Sequence, residues 1–155
     1  MMGRMKENIP LDRAMLLRLW DEAWSEGLWA VPWSRVLEEL SGPQALWRPQ
    51  PDRHCIWQYV THMLFWREVS LRRLRGEEIT SDEQKRRNFE PAPREAQADP
   101  DELRRLWEQS FREVRAAIAD ERHSMNRFQY VPFHDSYHVG QIMLLRAMQG
   151  MLPIE

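Results

Sequence analysis

The sequence predicts an all-α protein, a four-helix bundle formed by one domain over residues 1–155. Two observations carry that prediction. Four stretches bounded by proline or glycine repeat their apolar residues at helical spacing, and no stretch alternates apolar and polar residues as a half-buried strand does. One longer polar connection separates the middle two stretches, as a bundle with a crossover requires.

The first helix is predicted from Leu11 to Glu26, stopped by Gly27, with Leu16, Leu19, Trp20, Ala23 and Trp24 on its apolar face. A proline-rich connection follows from Leu28 to Pro51. Within it Ser34–Leu40 is predicted as a short helix ended by Ser41-Gly42-Pro43. The second long helix is expected between Asp52 and Arg75, where no proline or glycine intervenes before Gly76. Its stripe is Ile56, Tyr59, Val60, Met63, Trp66, Val69 and Leu74, with His62 in or beside it.

Gly76–Ala98 is polar, contains Pro91 and Pro93, and is predicted as a surface crossover. Asp99-Pro100-Asp101-Glu102 is a strong helix start: Asp99 caps, Pro100 takes the first helical position, and Glu102 can close a capping box. The stripe Leu103, Leu106, Trp107, Ser110, Phe111, Val114, Ala117 and Ile118 carries that helix to about Glu121. The last helix is predicted from near Pro132 to Gly150.

The bulk properties narrow the function classes. A chain of 155 residues can bury a core without a structural metal or disulfides, so a metal here points to function rather than folding. Eight tryptophans imply large aromatic contacts in a core or pocket wall. The net charge of −2 builds no field for nucleic acid, and the clusters Arg72-Arg73-Arg75 and Lys85-Arg86-Arg87 are interleaved with Glu77, Glu78, Asp82 and Glu83. Cys55 is the single cysteine, so no internal disulfide is possible. Met1–Glu7 lacks an apolar signal region and no run approaches a membrane span. A cytoplasmic protein with no nucleic-acid or membrane partner is expected.

His134 and His138 are four residues apart on a helix, which stacks both imidazoles on one face within reach of one ion. His62 is the candidate third ligand from another helix. Spacing alone also admits the plainer reading, three hydrogen-bonded histidines at the edge of a core. His54 and His123 fall at predicted helix ends, where capping or solvent exposure is expected. Cys55 stands two helical turns from His62, roughly 10 Å along the axis, too far to share its ion. Gly140 inside a helix signals a close helix approach, room for a ligand, or simple tolerance. Gln141 lies on the side of His138, facing either a pocket or solvent.

The run His134-Asp135-Ser136-Tyr137-His138-Val139-Gly140-Gln141-Ile142, followed by Leu144-Leu145-Arg146 and Gly150, resembles the last-helix signature of the DinB-like (DinB/YfiT) superfamily. The run from His54 to His62, with Trp66 and the Leu71–Gly76 end, resembles that family's second helix, with His62 at the family's histidine. The chain departs from some relatives after Trp33, where Ser34-Arg35 replaces a His-Gly pair. The resemblance implies an up-down-down-up bundle with the long crossover between helices two and three. It also implies a divalent metal, zinc or nickel, held by His62, His134 and His138 with positions left open, and a homodimer.

Several branches that this chain resembles are thiol-dependent, among them bacillithiol and mycothiol transferases and a maleylpyruvate isomerase. The expectation is a metal-dependent transferase passing a low-molecular-weight thiol (bacillithiol, mycothiol or glutathione) to a small electrophilic substrate. Gln141, Tyr137 and Trp66 are its expected substrate-binding residues, and no general base stands out. The alternative is a metal-binding stress-response or interaction protein without turnover.

Overall fold

The structure, a computed structural model, describes residues 12–28 and 30–154. The expectations resting on Met1–Glu7, Leu11 and Trp29 lie outside these residues. The described residues are all-α, with six α-helices and no strand. None of these helices is long and apolar enough to cross a membrane.

Helix α1 (Arg13–Ser25) starts at Asp12, whose side chain accepts from the Ala14 amide. Gly27 ends it at φ 75°, and a Cβ there would lie 2.2 Å from the Ala30 carbonyl oxygen, so the turn needs glycine. Ser34–Leu40 does not become a helix. It forms successive turns, with Glu39 at φ 54°, while Trp33, Val36, Leu37 and Leu40 bury their side chains.

The short helix follows instead as α2 (Gly42–Leu46), and Ser41-Gly42-Pro43 starts it rather than ending the one before. Ser41 and Gln44 close a capping box, and Pro43 sits in the first turn, where its missing N–H is no loss. Helix α3 (Ile56–Leu74) begins later than the Asp52 boundary suggested, with Cys55 at its cap, and stops before Gly76 at φ 78°.

The crossover is not wholly irregular. Thr80 caps α4 (Ser81–Arg87), which carries Asp82 and Glu83 in its first turn and three basic residues in its last, matching the helix dipole. Arg87 pairs with Glu68 at 2.7 Å and Arg72 pairs with Glu77 at 3.0 Å, so these basic residues are bound to local carboxylates. Helix α5 (Pro100–Ala119) begins at Asp99, which accepts from the amides of Asp101 and Glu102. The expected capping-box return from Glu102 is absent because its carboxylate grips Arg105. Helix α6 (Val131–Met148) closes the chain.

The four long helices pack in a ring: α1 against α5 and α6, and α3 against α5 and α6. Arg13 at the start of α1 donates to the carbonyls of Ile118, Asp120 and His123, tying the start of α1 to the end of α5 and the turn after it. Further along, Trp20 and Trp24 stack on Phe111 at 5.6 and 4.3 Å between centroids. The buried indoles are satisfied: Trp20 donates to the Phe111 carbonyl at 3.2 Å and Trp107 to the Trp33 carbonyl at 2.8 Å. Arg146, buried near the end of α6, donates to the Glu38 carbonyl at 2.8 Å and pins that end to the 32–40 turns.

The Asp99 cap provides a direct check on α5. Asp99→Ala is expected to destabilise the chain by about 1 kcal/mol in urea unfolding, because two amides at the helix start lose their acceptor. A variant as stable as the parent would show that the helix start does not depend on this side chain.

Candidate metal centre

Helices α3 and α6 bring His62, His134 and His138 together. One ring nitrogen from each lies within 4.8 Å of the others, a cluster that can hold a metal ion. His62 and His138 are buried, whereas the His134 side chain is 32% exposed and forms the side open to solvent.

Each imidazole is held from behind by an oxygen. The His62 Nδ1 is 2.6 Å from the Asn88 carbonyl, the His134 Nδ1 is 2.9 Å from Asp135 Oδ1, and the His138 Nδ1 is 2.6 Å from Gln141 Oε1. A carbonyl, a carboxylate and an amide oxygen only accept, so each Nδ1 carries the hydrogen. The three Nε2 lone pairs are therefore left facing one another. The His62 and His134 Nε2 atoms are 3.0 Å apart, and two lone pairs at that distance repel unless a cation or a proton lies between them. Metal–nitrogen bonds of about 2.0–2.1 Å at tetrahedral angles place ligand nitrogens about 3.3 Å apart, near the His62–His134 separation, so the donor set suits a divalent ion in its chemistry.

Protons compete poorly for the same place. Burial holds the His62 imidazole down to about 4, against the pull of its bond to Asn88, and the neighbouring histidines lower it further. Burial likewise pushes His138 below its ordinary value. Both rings are neutral near pH 7, the form that binds metal.

The crossover supplies parts of the site that the sequence reading treated as surface. Asn88, just after α4, gives its carbonyl to His62 and its side-chain oxygen to the Trp66 indole at 2.8 Å. Trp66 thus touches the site through Asn88, with its ring centroid 6.5 Å from that of His62. Phe89 stacks on His62 with centroids 4.0 Å apart, and His54 stacks on the other face of Phe89 at 4.0 Å. His54 is therefore a half-buried wall of the site rather than a capping or solvated residue. Gln141 orients His138, and Tyr137, 65% exposed, stands edge-on to it at 5.0 Å. Gly140 is exposed, with nothing among the described residues within 4 Å of a Cβ placed there, so no close approach to them explains it. Asp21 and Glu22 are taken by Arg115 and Arg18.

Arg67 and Asp135 lie behind His134 and were not anticipated. Both side chains are fully buried, joined Nε to Oδ2 at 2.7 Å. The signal was present: Arg67 continues the Val60–Met63 stripe at helical spacing, a charge where an apolar residue belongs. Nothing in the sequence marks the Asn88 carbonyl, because every residue carries one.

A family model described as the DinB superfamily matches residues 32–145 of the 155. The chain belongs to the DinB superfamily. The matched region contains α3, α5 and all three clustered histidines of this DinB-superfamily chain, and α1 lies before it. No curated protein and no solved structure matches it.

The lowered His62 value sets a pH dependence. The unfolded chain protonates this ring below about 6.5, whereas the folded chain resists until about 4, so acid favours the unfolded state in that window. The unfolding midpoint of metal-free protein should therefore fall between pH 7 and pH 5, and less so in His62→Gln. Equal midpoints at both pH values would contradict a buried neutral His62.

Proposed function

We propose that this protein holds a divalent metal, zinc or nickel, through His62, His134 and His138, and uses it as a transferase of a low-molecular-weight thiol to an electrophilic substrate. The observation that carries the reading is the convergence of three Nε2 lone pairs whose rings are fixed by acceptors at Nδ1. Three imidazoles leave a coordination position free, as catalytic sites do and closed structural sites do not. A metal in such a site supplies Lewis acidity that favours the thiolate of a bound thiol at neutral pH.

The chain's own residues have simpler tasks. Asn88, Asp135 and Gln141 keep the three rings in one tautomer and one orientation. Tyr137 and Gln141 flank His138, where bacillithiol, mycothiol or glutathione and an electrophile would enter beside the partly exposed His134, and Trp66 braces His62 through Asn88. The second reading, a metal-binding stress-response or interaction protein without turnover, draws on the depth of His62 and His138, which leaves one ring edge open to solvent.

The same proposal takes the chain as one domain with the up-down-down-up order. Support comes from Arg13 meeting Ile118 while Trp24 meets Phe111, an antiparallel match of α1 with α5. A second copy of the chain is the proposed partner. Phe133, Tyr137, Leu144 and Met148 form an exposed row along α6, with Gly140 at its centre, and a row of that size is a candidate dimer face. A cytoplasmic location is consistent with Cys55 being a buried free thiol.

Elemental analysis of untagged protein is expected to find one divalent metal per chain, lost in each single His→Ala variant. Metal-loaded protein should consume thiol in the presence of an electrophile, and His138→Ala should abolish that consumption. Stoichiometric metal with no consumption above background would favour the second reading over the transferase. Sedimentation should show a dimer that Leu144→Glu converts to monomer; a monomeric parent would remove the second copy.

A further inference from the structure

The three imidazoles are not held alike. His62 donates to a backbone carbonyl and His138 to a neutral amide, but His134 donates to a carboxylate with its own buried counter-ion. His134 is also the ligand that packing holds least, since its side chain is 32% exposed while His62 and His138 are buried.

Both Asp135 oxygens are committed, Oδ1 to His134 at 2.9 Å and Oδ2 to Arg67 Nε at 2.7 Å. The rest of the Arg67 guanidinium has no acceptor among the described residues: Nη1 and Nη2 are buried without a hydrogen-bond partner there. They lie instead in an aromatic box, 3.8 Å from the Trp107 ring centroid, 5.0 Å from Trp20 and 5.5 Å from Trp33, measured from Cζ. The box is itself anchored, because the Trp20 and Trp107 indoles donate to the Phe111 and Trp33 carbonyls. An ion pair kept for stability alone would use the bidentate guanidinium fork, and a buried pair gains little over apolar residues of the same volume. This pair spends one nitrogen on the carboxylate and gives the other two to tryptophan faces.

We propose that Arg67 and Asp135 are positioning residues of the metal centre: the tryptophan-boxed guanidinium holds the Asp135 carboxylate in place, and that carboxylate orients and polarises His134. The inference rests on the metal reading above, and it makes His134 the strongest donor of the three. A polarised imidazole gives more electron density to an ion, and loss of such a partner weakens binding about tenfold to a hundredfold.

The test is metal affinity, measured by chelator competition on the full chain, together with imidazole nitrogen NMR of the metal-free protein. Asp135→Asn alone strands a buried guanidinium, so the informative variant is Arg67→Met with Asp135→Asn, which removes both charges and keeps an oxygen opposite His134. The expected result is a folded chain that binds one metal about tenfold to a hundredfold more weakly. In the metal-free protein, the His134 Nδ1 proton should resonate downfield of those of His62 and His138, and move upfield in the double variant.

Unchanged affinity, or an Nδ1 proton that does not move, overturns the proposal. A double variant that does not fold passes the decision to Arg67→Lys, which keeps the charge and loses the planar stack. Its affinity should fall by about tenfold, and parental affinity overturns the proposal. If the parent binds no metal, the metal reading fails by itself, and the Nδ1 proton still decides whether Asp135 polarises His134.

Discussion

The buried contact between Arg67 and Asp135 joins the two halves of this molecule, the aromatic core on one side and the histidine cluster on the other. Two charges taken fully out of water cost several kcal/mol each, and only close pairing and further contacts offset that. Arg67 obtains these from Asp135 and from three tryptophan faces, and Asp135 from Arg67 and His134. Every group in the chain depends on the next. The tryptophans are placed by α1, by the turns after it and by α5, and Arg67 and Asp135 come from α3 and α6. The ring of four helices is therefore what allows a charged pair to sit at its centre.

The same contact explains why the core is rich in tryptophan. A guanidinium is planar and weakly hydrated, and it stacks on aromatic faces in a way that aliphatic side chains cannot match. Trp20, Trp33 and Trp107 are fully or almost fully buried, yet the Trp20 and Trp107 indole N–H groups each have an acceptor, the Phe111 and Trp33 carbonyls. The core is apolar in surface and still hospitable to one cation.

Much of this was legible in the sequence, and the parts that were not share a physical cause. The four long helices follow from stripes such as Leu16–Trp20–Ala23 and Leu103–Trp107–Phe111, and the start of α5 from Asp99 and Pro100. His62, His134 and His138 were readable as a cluster because helical spacing aligned two of them and the family resemblance placed the third. The 34–46 region was read one element out of place. Ser41-Gly42-Pro43 stops one helix or starts the next by the same residue preferences, and the capping box of Ser41 with Gln44 makes it a start. The crossover was read as surface because its side chains are polar, but its contribution to the site is a backbone carbonyl and a ring, Asn88 and Phe89. Arg67 is one charge among many in the composition, although its place in the Val60–Met63 stripe sets it apart.

The proposed metal centre needs three imidazoles, each turned by an oxygen at Nδ1, to share one divalent ion through Nε2. An anomalous-scattering map from crystals of metal-loaded protein addresses it most directly. A single strong peak is expected about 2.0–2.2 Å from the Nε2 atoms of His62, His134 and His138, with the Nδ1 contacts to Asn88, Asp135 and Gln141 intact. No peak among the three rings, or a metal bound through Nδ1 with those contacts broken, would contradict it.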